Sequence, residues 1–350
     1  MKPLPREDLD AAIDLADQCF RELRGARIFL TGCTGFFGVW ILETLRRADE
    51  RFGLGLDLTL LSRSPNAFVE QHPHLAPADR LRYLQGDIRS FAFPVGIFSH
   101  VIHGATTNAR ETFAGEDPLR KFDTVALGTR RVLEFCESGS VSDMLYVGSG
   151  AVYGRRTTPE PICEDDPFAP HPLDVGMTLG HAKRAAELFC AIYGARCATR
   201  IKIARCFSFV GPQLPLDIHY AIGNFIADAI AERPITVTGT GRAVRSYMYM
   251  SDLVAWLVTI LVRGTPLRPY NVGSEDGRPV LEMANVVARI AGQRVQRPRF
   301  PEKEARSSAG DNYVPSAARS MSELGLRQSV PLEESIRKML AYHALQGLKT

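Results

Sequence analysis

Lys183 lies in DVGMTLGHAKRAAELFC, residues 174–190, a stretch that reads as a helix with a mostly apolar background. An ammonium there can depress the pKa of an acid beside it. The residue one turn earlier on the same face is Leu179, which can neither hold nor release a proton. Lys183 could take a proton itself only if burial brought its pKa close to neutrality, far below the ordinary ~10.4.

The second chemical feature is TGCTGFFG, residues 31–38, with Gly32, Gly35 and Gly38 between an apolar strand and a helix. In that context the first glycine permits a tight turn and the second lets backbone approach a pyrophosphate. The third lets the helix pack close, so that its N-terminal N–H groups face the anion. The tip of the next strand, Leu61-Ser62-Arg63-Ser64, offers an arginine where an acid would select NAD. Asp57 sits at the wrong end of that strand, so Arg63 favours NADP over NAD. Asp87, ending the third strand in QGDI, is placed to accept from an adenine amino group.

These residues need a scaffold, and the pattern supplies one. Apolar runs at 26–32, 56–62, 81–87, 100–106, 143–150 and 199–207 read as buried strands. Helical segments at 36–49, 117–137 and around Lys183 fall between them, which predicts a parallel sheet covered on both faces. Leu9, Ile13, Ala16 and Phe20 predict one amphipathic helix over 7–24. Beyond about residue 207 the alternation lapses, and 246–273 is expected to return to the main sheet.

The chain has 350 residues, 45% hydrophobic and 23% charged, which is globular composition. A net charge of +3 argues for neither nucleic acid nor an anionic membrane as partner. The run LVAWLVTILV at 253–262 is too short to span a bilayer, and the acidic N-terminus is not a secretory signal. Seven cysteines without a CxxC pair read as small core residues in a reducing cytosol, so a cytoplasmic location is expected. Eight scattered histidines suggest no metal site.

TGCTGFFG, GDI (86–88), VIHGAT (101–106), GTRRVLE (128–134), SGAVYG (149–154), KRAAE (183–187), ARCFSFVGP (204–212), RSYMYMSD (245–252) and YNVGS (270–274) occur in that order. From about residue 25 to 345 the chain thereby resembles the extended short-chain dehydrogenase/reductase family, the nucleotide-sugar epimerases and dehydratases. The resemblance implies a Rossmann-type α/β fold, a doubly wound parallel sheet with a smaller C-terminal α/β substrate lobe. It implies an N-terminal helical extension at 1–24 and a dinucleotide-binding domain at 25–207 plus 249–274. A nucleotide-sugar lobe follows at 208–248 plus 275–345, with a homodimer packed through helices 117–137 and 176–193. NADP or NAD would be held by Gly32, Thr34, Gly35, Phe36, Phe37, Gly38, Arg63, Asp87, Ile88, Gly104, Ala105, Thr106 and Lys183.

In that family a serine or threonine, a tyrosine and a lysine four residues after it transfer the proton while hydride passes to nicotinamide. Ser149 matches the serine and Lys183 the lysine, but the tyrosine position is Leu179. A replacement hydroxyl, a water, Tyr153 or Lys183 itself would have to serve, with Tyr247 and Tyr249 as further candidates. Thr178 and His181 lie about 100° and about 200° around the helix from position 179. Gly150 and Ala151 stand where family dehydratases and decarboxylases carry carboxylates, so epimerisation or ketone reduction fits better than elimination. Ser208, Asn224 and Arg245 are the expected ligands of the substrate phosphates, with Ser149 orienting the sugar oxygen. Two functions follow: an NAD(P)-dependent enzyme acting on a nucleoside-diphosphate sugar, or a catalytically impaired relative that binds the same ligands and regulates.

Overall fold

Strands β1 (Arg27–Thr31), β2 (Asp57–Ser62), β3 (Leu81–Gln85), β4 (His100–His103), β5 (Asp143–Ser149) and β6 (Arg200–Cys206) build the central sheet. The computed structural model describes residues 1–107, 115–139, 141–156, 158–216, 218, 220–297 and 311–345. Short strands follow: β7 (Phe209–Val210), β8 (Ile235–Thr236), β9 (Val244–Arg245) and β10 (Met248–Tyr249). The last are β11 (Pro269–Val272), β12 (Arg278–Pro279), β13 (Val295–Gln296) and β14 (Asn312–Tyr313). The main sheet has the order β11-β6-β5-β4-β1-β2-β3, and every pairing in it is parallel. Residues 269–272 thus return to its edge beside β6, as the sequence predicts.

The helices are α1 (Arg6–Leu15), α2 (Asp17–Glu22), α3 (Phe36–Phe52), α4 (Pro65–Gln71), α5 (Pro118–Ser138) and α6 (Thr178–Gly194). They continue with α7 (Ala221–Ile230), α8 (Met250–Arg263), α9 (Val280–Ala291), α10 (Ala318–Leu324) and α11 (Leu332–Leu345). Alternate residues of β1 feed two cores. Ile28 and Leu30 pack with residues of α1, α3 and α8, while Phe29 packs with residues of α5 and α6. Burial of both faces explains why the inner strands read as continuous apolar runs; β3, expected to be buried, is an edge strand with Arg82 and Gln85 exposed.

Three details differ from the sequence pattern. The N-terminal helix is two helices, broken at Ala16 (φ −132°, ψ 30°). The bend lets Leu9, Ala12 and Ile13 before it and Cys19 and Phe20 after it all reach the core. Strands β3 and β4 end sooner than expected, at Gln85 and His103, because the chain leaves the sheet at Gly86 and Gly104. Finally, α4 covers part of the β2–β3 connection, whereas β3 reaches β4 through irregular chain at 86–99. That crossing reverses the strand order at β1 and β4, opening a crevice at their C-terminal ends where ligands bind in such sheets. Residues 208–249 and 275–345 contribute the small sheets β10-β7, β12-β9-β14 and β13-β8, and 298–310 lie outside the described residues.

His103, at the end of β4, fastens that crevice. Thr129 on α5 donates its hydroxyl to the Val125 carbonyl at 2.7 Å, so its oxygen accepts from His103 Nε2 at 3.0 Å. His103 Nδ1 then accepts from the Thr31 hydroxyl at 2.7 Å, which makes the ring neutral. Burial, with a smaller push from the Lys183 charge, holds its pKa down to about 3. The unfolded chain takes up this proton near pH 6.5 and the folded chain does not, so stability falls as pH drops from about 6.5 towards 3. His103→Asn is expected to flatten the fall of the urea midpoint between pH 6.5 and 4 relative to the wild type; parallel curves would contradict this assignment.

Candidate functional site

The glycine turn is built from close contacts. Gly32 adopts φ +77°, and a Cβ there would stand 2.5 Å from the Gly104 carbonyl carbon and 2.6 Å from the Ala105 nitrogen. No side chain fits between β1 and the segment after β4. A Cβ on Gly38 would collide with the Gly32 carbonyl oxygen and stand 2.5 Å from Cys33 Cα. Gly35 differs: its Cβ would meet only the Gly32 oxygen, at an ordinary 3.5 Å, and the residue is exposed. Space at Gly35 is therefore open to a ligand.

Gly35 is the N-cap of α3, in extended conformation, with no side-chain cap and no acid in the first turn. The opening N–H groups of α3, from Phe36 to Gly38, precede the first intrahelical donor, Val39, which bonds the Gly35 carbonyl at 3.0 Å. These donors, aligned with the positive helix end, fit the twin phosphates of a dinucleotide. Thr34 is exposed beside them, and Phe37 packs edge-on against Phe209, ring centroids 5.0 Å apart.

The residues expected to meet the adenosine are Arg63, Asp87 and Ile88. Ser62 Oγ accepts from the Ser64 N–H at 3.1 Å and shapes the turn that presents Arg63 to solvent. Asp87 accepts from the Arg89 backbone N–H (2.9 Å), Nε (2.8 Å) and Nη2 (3.1 Å). The Arg89 guanidinium holds the Asp87 carboxyl below its usual range. A carboxylate has about four acceptor directions, so one remains for an adenine amino group. Ile88 is buried against Gly128, where a Cβ would come within 3.0 Å of it. Gly104 donates to the Thr31 carbonyl at 3.1 Å, and Thr106 is exposed at the crevice.

On α6 the buried Lys183 donates from Nζ to the Val147 carbonyl at 2.9 Å. Val147 and Ser149 lie two residues apart on β5, which brings the lysine and the serine to one strand end. Burial pushes the Lys183 pKa down to about 8, the depression that proton transfer by the amine would require. Leu179 is partly buried and packs with the α5–α6 core. Neighbouring hydroxyls and imidazoles are engaged elsewhere: Thr178 donates to Val175 O at 2.6 Å, and His181 Nε2 bonds His171 O at 3.0 Å.

Tyr153 does not join this group. It is 1% exposed, donates to Asn271 Oδ1 at 2.9 Å and accepts from Arg205 at 2.7 Å. Arg205 is in turn paired with Glu187 of the KRAAE stretch at 2.7 Å. The geometry therefore corrects the expectation that Tyr153 faces the substrate: its hydroxyl is spent in a buried network. Tyr249 is likewise withdrawn, donating to the buried Asp8 at 2.6 Å, and Tyr247 is buried.

Of the expected phosphate ligands, Ser208 is half-buried after β6 and Asn224 is half-buried on α7. Arg245 is salt-bridged to Asp311, and it also donates to the Val244 and Asp311 carbonyls at 2.8 and 2.9 Å. Three of its five N–H donors are thus used in this state. The sequence pattern missed Tyr313, which pairs with Arg245 in the β14–β9 ladder and lies over Phe207 with ring centroids 4.7 Å apart. An isolated tyrosine in DNYVP carries no local signal; the glycine at 150 is the indirect one. Among the described residues there is no group of three or more potential metal ligands, and no helix is long and apolar enough to cross a membrane.

The contrast between the glycines is testable. Valine suits the extended backbone of Gly35 (φ −87°, ψ 172°) and would only fill the ligand's space. Gly35→Val is expected to keep the unliganded melting temperature and to weaken nicotinamide dinucleotide binding at least about tenfold by calorimetry. Gly38→Val is expected to destabilise the fold itself. Wild-type affinity in Gly35→Val would contradict the cradle.

Residues 28–273 match the model of the NAD dependent epimerase/dehydratase family. The chain is 25% identical over 317 residues to UDP-glucuronic acid decarboxylase 1 of Arabidopsis thaliana, covering 90% of this chain and 69% of that protein. The enzyme of the same name from Danio rerio is 24% identical, with coverage of 90% and 72%. Among solved structures, UDP-glucuronic acid 4-epimerase from Bacillus cereus in complex with NAD superposes with a TM-score of 0.73 at 18% identity, covering 90% and 96% of the two chains. dTDP-glucose 4,6-dehydratase from Bacillus anthracis in complex with NAD gives 0.74 at 15% identity, covering 91% and 97%. The structural likenesses establish the fold; the family match spans most of the chain and includes the glycine turn, β5, α6 and the return strand β11. The chain belongs to the NAD dependent epimerase/dehydratase family.

Proposed function

We propose that this chain is an NAD(P)-dependent oxidoreductase of a nucleoside-diphosphate sugar, of the epimerase or ketone-reductase type. The observation that carries the reading is the meeting of an uncapped helix N-terminus, the buried Lys183 ammonium and Ser149 at one end of the parallel sheet. A nicotinamide bound there supplies or accepts hydride. Lys183 holds its ribose, Ser149 orients the sugar oxygen, and Ser208, Asn224 and Arg245 receive the diphosphate from the smaller lobe. Gly150 and Ala151 put no carboxylate beside Ser149, so neither elimination nor decarboxylation has the acid/base pair that the named relatives' reactions would suggest. Arg63 at the tip of β2 supports NADP over NAD. A binding or regulatory protein is the second reading, favoured by one observation: Leu179, which stands where the resemblance expects the tyrosine, is apolar and packed into the core.

Thermal unfolding with NAD, NADP and UDP-, dTDP-, GDP- and CDP-sugars separates these outcomes, since a bound ligand raises the melting temperature with occupancy. NADP and at least one sugar nucleotide are expected to stabilise the wild type, and Arg63→Ala to weaken NADP about tenfold while sparing NAD. Stabilisation by no dinucleotide would overturn the reading. Binding without hydride exchange would favour the regulatory one.

The homodimer is proposed on the surface of α5 and α6. Leu127, Leu188 and Ile192 on these adjacent helices are 43%, 61% and 42% exposed, an apolar stripe suited to the same stripe on a second copy. Leu188→Glu is expected to shift the protein from dimer to monomer in sedimentation; a wild-type monomer would contradict the assignment.

A further inference from the structure

Position 150 explains itself only through its neighbours. A Cβ on Gly150 would stand 2.8 Å from the Phe207 ring edge and 2.8 Å from the Tyr313 hydroxyl. The glycine is required because an aromatic pair from outside the strand occupies that space. The Tyr313 hydroxyl is thereby set at residue 150, next in the chain to Ser149. Ser149 Oγ also accepts the Ala151 N–H at 3.1 Å. The tyrosine is half-buried, with the Arg245 guanidinium 6.0 Å from its ring centroid.

Its placement is rigid. Asn312 donates from its backbone to Arg156 O at 2.9 Å and from its side chain to the carbonyls of Thr158, Pro159 and Glu160 at 3.0–3.1 Å. On the other side the Ile162 N–H donates to Val314 O at 2.8 Å. The backbone on both sides of Tyr313 is therefore fixed, as a positioned proton donor needs. Leu179 can contribute no proton, and the other tyrosines considered are buried or bonded elsewhere.

We propose that Tyr313 is the catalytic proton-transfer residue of this site, supplying from the C-terminal segment the phenol that position 179 lacks. The proposal rests on the oxidoreductase reading above. In the reducing direction, hydride for the carbonyl carbon of the keto sugar would come from a bound NAD(P)H. The C=O π pair moves to oxygen, which takes the proton of the Tyr313 hydroxyl directly or through Ser149, and the phenolate is reprotonated from water. The sugar carbon is reduced and the coenzyme oxidised; the reverse direction runs the same exchange backwards.

The test is Tyr313→Phe, which keeps the ring on Phe207 and removes only the hydroxyl. Affinities for coenzyme and sugar nucleotide are measured beside the hydride-transfer rate. A fall in kcat of at least about 100-fold is expected, the scale of general acid–base catalysis, with KM and both dissociation constants within about threefold of wild type. Adding Leu179→Tyr to Tyr313→Phe is expected to restore at least about tenfold of the lost rate by returning a phenol to the lysine's helix face. A Tyr313→Phe rate within about threefold of wild type, with intact affinities, overturns the proposal. So does a wild type that binds both ligands and never exchanges hydride, an outcome that leaves the binding reading standing. A wild type that binds neither ligand removes the oxidoreductase reading, and the proposal with it.

Discussion

The tightest constraint in this molecule is the fit of bare backbone against bare backbone at the end of β1. Gly32 lies against Gly104 and Ala105 after β4, and Gly38 lies against Gly32 and Cys33. Any side chain at either glycine would force the first turn of α3 away from the sheet. The result is a helix whose leading N–H groups remain uncapped and face the crevice between β1 and β4. A helix end left so is costly in water-poor surroundings unless an anion or solvent satisfies it. The His103 ring, held between Thr31 and Thr129, keeps the two strand ends in register behind this cradle.

The proton chemistry is set by a different balance. Burial weakens the charge on Lys183 while the Val147 carbonyl holds its ammonium at the end of β5. Leu179 adds packing on α6 but no acid. Leu179 suits its place because it packs against the core between α5 and α6. Beside Ser149, Tyr313 and Phe207 fill the space that a side chain at 150 would need. The side chains around Ser149 thus include no phenol from α6 at position 179 and no carboxylate at 150 or 151, and the aromatic group beside it comes from the C-terminal segment.

Much of this was legible in the sequence. The glycine spacing, the buried strands and the return strand at 269–272 are each written in a short local pattern, although the contacts they make, Gly32 against Gly104 and β11 beside β6, join distant parts of the chain. The absence of a proton carrier at 179 was equally plain. What pattern missed depends on distant contacts. Ala16 breaks the N-terminal helix to follow the surface of α3 and α8, and periodicity alone ran through it. Tyr153 has the right residue type near Ser149, yet Asn271 and Arg205, more than a hundred and more than fifty residues away in the chain, claim its hydroxyl. Tyr313 reaches Ser149 across 164 positions, held by a two-residue strand that no periodicity reveals.

Everything proposed for the site turns on where a dinucleotide's phosphates sit. A crystal structure of the chain with NAD or NADP would decide it. The pyrophosphate is predicted to accept hydrogen bonds from the backbone N–H groups of Phe36 and Phe37, above Gly35, with the nicotinamide ribose against Lys183. A coenzyme bound elsewhere, or a first turn of α3 closed by the protein's own side chains, would contradict it.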